Sequence, residues 1–133
     1  KIVDRHMVHT LFQPIVRLSD GCAVGYEALT RTQGPKLPPD QLFRLAINHG
    51  MNDTLCKMAI KTAFDLGKLL PPDAYISINA GPDELLNGLT ETLFGSQPQP
   101  SRYVLEITEH AIVNDYKEMM TNLSRLRRMG VRI

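Results

Sequence analysis

Glu27, Asn79 and Glu106 stand in three separate extended, apolar-rich segments, and Arg31 follows the first carboxylate on the same strand parity. Two carboxylates and one amide oxygen are hard ligands that suit Mg²⁺ or Mn²⁺ better than zinc, which draws on His and Cys. A basic side chain beside such a set adds a contact for an anionic ester. The chemistry implied is that of a phosphodiester bound at a divalent metal.

Side chains two residues apart on a strand share a face, so the positions of these residues are tied to one another. In residues 75–80, Ile76, Ile78 and Ala80 form the set that helices would cover, leaving Tyr75, Ser77 and Asn79 on the other face. In residues 103–108, Leu105 and Ile107 face the helices, and Val104, Glu106 and Thr108 face away. In residues 22–31, Glu27, Leu29 and Arg31 share a parity opposite to Val24, Tyr26, Ala28 and Thr30. Glu27, Asn79 and Glu106 are therefore expected to converge inside a barrel, toward the C-terminal ends of its strands, where α/β barrels place their sites. The bland alternative makes Glu27 and Glu106 partners of Arg31 or loop-edge residues, with Asn79 satisfying backbone in a turn.

The elements that must hold these residues read as follows. Residues 11–18 and 22–30 form a hairpin around Ser19-Asp20-Gly21, with residues 1–10 as a linker or helix tail. Leu42, Phe43, Leu45 and Ala46 mark a helix ending at Gly50. Leu55, Met58, Ala59, Ala63, Leu66 and Leu69 mark a second over 52–70, stopped by Pro71-Pro72. A short helix starts near Pro82. A last helix carries Tyr116, Met119, Met120, Leu123 and Leu126 as its stripe, with Asn114 as cap and Arg125, Arg127 and Arg128 at its negative end. Residues 131–133 begin another strand. Helices alternating with short apolar strands imply a mostly parallel α/β sheet.

Composition narrows the field. The 133 residues are 43% hydrophobic and 22% charged, enough for one core, and a net charge of +1 supplies no global field to attract DNA, RNA or an anionic membrane. Cys22 and Cys56 have no CxxC spacing, which points to a reducing, cytoplasmic setting, and no apolar run reaches the length of a membrane span. His6 and His9 lack a third ligand and read as a solvated segment, His49 and His110 as a helix-end and a loop residue. The Arg125, Arg127, Arg128 and Arg132 group reads as a solvated helix end rather than a phosphate site. Glu109 reads as a helix-initiating acid or a loop anchor, and Gln13 as an edge-strand polar residue or a contact to a base edge.

Four ordered motifs, Phe12-Gln13-Pro14-Ile15-Val16, Tyr26-Glu27-Ala28-Leu29-Thr30-Arg31, Ile76-Ser77-Ile78-Asn79 and Leu105-Glu106-Ile107-Thr108-Glu109, resemble the successive signatures of the EAL domain family. The resemblance implies a (β/α)₈ TIM-like barrel with an antiparallel first strand, and a bacterial hydrolase that converts cyclic di-GMP to linear pGpG. It implies Glu27, Asn79 and Glu106 as Mg²⁺ or Mn²⁺ ligands, Gln13, Leu29 and Arg31 as nucleotide contacts, and Glu109 as the anchor of a catalytic loop. The family's later paired aspartates, lysine and further acidic positions have no counterpart here. Residues 11–133 are thus expected to hold strands one to five, about half of a roughly 250-residue barrel. Such a piece is expected to be inactive alone, and to pair as a homodimer or with a second barrel half. The competing expectation is a catalytically incomplete module that binds cyclic di-GMP or another protein for regulation.

Overall fold

Four strands in the order β1-β2-β3-β4 make one mixed sheet whose first pair is antiparallel and whose other pairs are parallel. This is seen in a computed structural model that describes residues 8–33, 37–107 and 115–133. β1 (Val8–Val16) and β2 (Ala23–Thr32) form the expected hairpin. Asp20 closes its turn by accepting from the Cys22 backbone N–H at 3.0 Å and from Arg17 Nη1 at 2.7 Å, and Gly21 takes a positive φ of 71° that favours glycine. β1 begins at Val8, within the segment expected to be linker, because Val8 pairs with Thr32 and buries itself against Leu42, Ala46 and Leu55. Those contacts lie more than twenty residues away and leave no local mark.

α1 (Pro39–Asn48) and α2 (Asn52–Gly67) cover one face of the sheet. The buried side of α2 keeps Leu55, Ala59 and Ala63 of the expected stripe and adds Cys56, Ile60, Phe64 and Gly67, whereas Leu66 is at the surface and Leu69 lies beyond the helix at 84% exposure. Phe64 sets the phase, because its ring packs edge-on to Phe94 at 5.2 Å and tilts against Tyr103 at 4.8 Å.

β3 (Tyr75–Ala80) leads into α3 (Pro82–Leu86) and α4 (Leu89–Gly95), two short helices separated at Gly88, whose φ is 77°. A 3-10 turn over Pro100–Arg102 precedes β4 (Tyr103–Ile107). There Arg102 staples the turn to the chain before β3, donating to the carbonyls of Ala74 and Pro71 at 3.1 and 3.0 Å. α5 (Tyr116–Arg128) is capped by Asp115, whose side chain accepts from the Glu118 N–H; the expected cap Asn114 lies outside the described residues. Arg132 then pairs alongside β4, accepting from the Leu105 N–H at 2.8 Å and donating to the Tyr103 carbonyl at 3.1 Å, as a further parallel strand would.

The core between sheet and helices is built from Ile76, Ile78, Ala80 and Leu105 against Ile60, Phe64, Phe94, Leu123 and Leu126. In α5, Tyr116 and Met120 are exposed, and the stripe instead includes Asn122. Its Nδ2 donates to the buried Leu85 carbonyl at 2.7 Å, so α5 holds α3 by a polar bond as well as by packing. Asn122→Leu is expected to lower stability by about 1–3 kcal/mol, the cost of a buried carbonyl left without its donor. Denaturant unfolding checks this, with Ser124→Ala on the exposed side expected near wild type.

Candidate functional site

The alternation of β3 decides which side chains are offered on the face away from the helices. Ile76, Ile78 and Ala80 are buried beneath α2 and the later helices, which turns Tyr75, Ser77 and Asn79 to the other side. Register then aligns the neighbours: Gln13 with Glu27, Glu27 with Ser77, and Asn79 with Glu106. Leu29 and Arg31 follow Glu27 on the same face, opposite Leu11 and His9 of β1. Glu27 sits at mid-strand in β2, because β2 runs on to Thr32 to pair with β1; its ladder with β3 ends at Ala28, so Glu27 is near the C-terminal end of that ladder.

Two hydrogen bonds tie side chains of this face across neighbouring strands. Asn79 Nδ2 donates to Glu27 Oε1 at 3.0 Å, across the parallel pair β2 and β3. Ser77 Oγ donates to Glu106 Oε1 across β3 and β4. With its nitrogen engaged by Glu27, Asn79 keeps an amide oxygen for another partner, and each carboxylate has one oxygen committed to a neutral donor. The ion pairs among the described residues join Arg17 to Asp20, Lys68 to Asp65 and Arg125 to Glu91, and none involves Glu27 or Glu106. Arg31 is not their partner either, since its Nη1 donates to the Thr30 carbonyl at 2.8 Å. Glu27 and Glu106 lie on one face on either side of β3, with no ion pair to either among the described residues, and their oxygens are of the hard kind that a divalent cation takes. The set remains partial: among the described residues no group of three or more His, Cys, Asp or Glu side chains gathers around one point.

At the opposite end of this face lies a plug that the sequence reading did not find. Tyr75 lies flat over Gly25, where a Cβ would stand 2.6 Å from the ring, and the Arg132 guanidinium sits 4.9 Å from the ring centroid. Arg132 thus stacks on a ring beyond the helix yet stays exposed, as Arg125, Arg127 and Arg128 do at the helix end. Ser77 was not among the expected site residues, although its parity with Asn79 placed it on the face where it meets Glu106. His9 lies in β1 opposite Arg31, half-buried, and is not a solvated residue, whereas His49 closes a helix end through the Leu45 carbonyl as expected. His6, His110 and Glu109 lie outside the described residues.

Leu29, Arg31 and Asn79 also border a cavity of about 240 Å³ that runs between β2, β3 and the helices α1 and α2, lined by Phe43, Ala59 and Ala63. This cavity lies on the helix side of the sheet. The acidic face is open.

A mixed α/β sheet with acidic and amide side chains on the face away from the helices is part of the architecture of an α/β barrel. Residues 2–133 match the family model of the EAL domain, and the chain belongs to that family. The Escherichia coli K12 protein named probable cyclic di-GMP phosphodiesterase PdeB is 35% identical over 130 residues, which cover 90% of this chain and 25% of that protein. An uncharacterized signaling protein of Caulobacter vibrioides is 33% identical over 130 residues, covering 92% of this chain and 16% of that one. Among solved structures, the PaMucR phosphodiesterase in complex with c-di-GMP superposes with a TM-score of 0.77 at 25% identity, over 94% of this chain and 57% of that one. BlrP1 of Klebsiella pneumoniae, solved with manganese and cyclic di-GMP, shares the fold with a TM-score of 0.75 at 22% identity, over 98% of this chain and 35% of that one. The chain thus spans a quarter or less of these two curated relatives and holds part of the barrel domain seen in the structures.

Ser77→Ala removes the donor that orients Glu106, a bond to a charged group worth about 1.5–3 kcal/mol. We expect weaker Mn²⁺ binding by isothermal titration with little change in far-UV circular dichroism. Unaltered Mn²⁺ affinity would mean that Ser77 only packs.

Proposed function

We propose that this chain carries one half of the site of a metal-dependent phosphodiesterase that opens cyclic di-GMP to linear pGpG. Glu27, Asn79 and Glu106 are the Mg²⁺ or Mn²⁺ ligands in this reading, Gln13, Leu29 and Arg31 contact the nucleotide, and Glu109 anchors a catalytic loop. The observation that carries it is the hydrogen bond from Asn79 to Glu27 with Glu106 beside Asn79 in register, three hard oxygen groups that no cationic side chain among the described residues pairs with, toward the C-terminal side of parallel strands. The names of the E. coli relative and of the PaMucR complex support the substrate, and the manganese in the BlrP1 complex supports the metal.

The chemistry that a divalent cation supplies when bound at such ligands is polarisation of phosphoryl oxygens and acidification of water. The chain's own residues set the stage for it. Asn79, by donating to Glu27, fixes the carboxylate's rotamer while presenting its own oxygen, and Ser77 does the same for Glu106. Arg31 stands two residues beyond Leu29 on the same face, where its guanidinium can leave the Thr30 carbonyl for a phosphate with little loss, since that bond is to a neutral acceptor.

Mg²⁺ fills its remaining positions with water and phosphate oxygens, but this chain spans a quarter or less of the two curated relatives. We therefore propose that turnover draws on polypeptide beyond these residues, and that residues 11–133 form strands one to five of the barrel. The edge strand β1, with Leu11 and Val16 exposed, is the natural place for a second barrel half or a second copy to pair. No helix among the described residues is long and apolar enough to cross a membrane. The cytoplasmic setting is part of the proposal, supported by the two free thiols of Cys22 and Cys56. A binding-only regulatory module is the second reading, favoured by the shortage of acidic ligands among the described residues.

The test is hydrolysis of cyclic di-GMP by the native polypeptide that carries this chain, with and without Mn²⁺. Glu27→Ala is expected to abolish metal-dependent turnover. Arg31→Ala is expected to raise KM about 10–100-fold, the worth of one charge-assisted phosphate contact. Tight nucleotide binding with no turnover at any metal concentration contradicts the enzyme and leaves the binding module.

A further inference from the structure

Glu84 is a carboxylate at 3% exposure in a five-residue helix, in contact with no cationic side chain among the described residues. Its Oε1 accepts from Asn52 Nδ2 at 2.5 Å and from the Cys56 thiol at 3.0 Å, both on the first turns of α2. Its Oε2 is buried without a hydrogen-bond partner and presses on the backbone after β3, where a Cβ at Gly81 would stand 2.6 Å from it. As the third residue of α3, a glutamate would ordinarily reach back to cap the helix's own first N–H. Here its hydrogen bonds go to another helix. Burying a carboxylate with one oxygen unpaired is costly, and such a cost persists where the geometry it fixes is needed.

What it fixes is the exit of β3. Only Ala80 separates Asn79 from Gly81, and Gly81 lies under Glu84 Oε2. From the other side, Asn122 of α5 holds the Leu85 carbonyl. We propose that Glu84 is a positioning residue that locks the start of α3 onto α2 and thereby sets the position of Asn79 and the Glu27 carboxylate it orients. The inference rests on the metal-site reading above. Gly81 and Glu84 form one device, since the glycine exists to let the carboxylate in.

Cys56 provides a readout independent of turnover. Burial, then the hydrogen bond to Glu84, pushes its thiol well above the usual cysteine range, so in the native protein iodoacetamide is expected to label the exposed Cys22 and spare Cys56. The experiment compares Glu84→Gln, Glu84→Leu and Gly81→Ala in the native polypeptide by two measurements, Cys56 labelling and Mn²⁺ affinity. Glu84→Gln keeps the acceptor and is expected within about twofold of wild type in both. Glu84→Leu and Gly81→Ala are expected to speed Cys56 labelling and to weaken Mn²⁺ binding about tenfold or more, as loss of an orienting partner of a metal ligand does. In the double variant Gly81→Ala with Glu84→Leu, the two effects should not add, because the clash and the clamp are one contact. Slow Cys56 labelling in both single variants overturns the clamp. Fast labelling with unchanged Mn²⁺ affinity overturns its hold on Asn79. Wild-type protein with no Mn²⁺ affinity sinks the metal-site reading and this inference with it, whereas wild-type affinity that survives Glu84→Leu sinks this inference alone.

Discussion

The molecule depends on the two faces of β3 having opposite fates. Ile76 at 0% exposure, with Ile78 and Ala80 beside it, is committed to the helices, and strand geometry then gives Ser77 and Asn79 no other side to take. Packing and site are therefore one constraint. A slip of one residue in β3 would carry the core residues into the open face and the ligands into the core. The aromatic group of Phe64, Phe94 and Tyr103 guards that register from the helix side, and Tyr75 over Gly25 guards it from the other.

Around this strand the polar side chains are arranged so that neutral groups hold charged ones. Asn79 holds Glu27, Ser77 holds Glu106, and Asn52 with Cys56 holds Glu84. Arginines are placed elsewhere, on backbone carbonyls, on the Tyr75 ring or in surface pairs. Among the described residues, no cationic side chain pairs with Glu27 or Glu106 near the C-terminal ends of the strands. That is the condition under which a divalent cation binds with net gain, since a buried Arg would already have neutralised the carboxylates.

How much of this could be read from the sequence follows from the range of the forces involved. Period-two alternation in residues 75–80 and 103–107 is local, and it placed Asn79 and Glu106 on one face before any contact was known. The hairpin turn was legible for the same reason, through Asp20 and Gly21. The start of β1 was not, because Val8 owes its burial to α1 and α2, and only half of the α2 stripe was legible because Phe64 is positioned by Phe94 and Tyr103. Glu84 was invisible as anything but a first-turn acid. Its role comes from Asn52 and Cys56, about thirty residues earlier, which only the packing of α3 on α2 brings to it.

In the proposed function, Glu27, Asn79 and Glu106 bind one divalent cation. That binding is tested most directly by titrating Mn²⁺ into amide-labelled native polypeptide and following side-chain NH₂ resonances. The account predicts that the Asn79 signal broadens first, ahead of Asn87 and Asn122, and that Glu27→Gln or Glu106→Gln shifts this broadening to much higher Mn²⁺. Asn79 broadening no sooner than Asn87, or unchanged by either substitution, would contradict it.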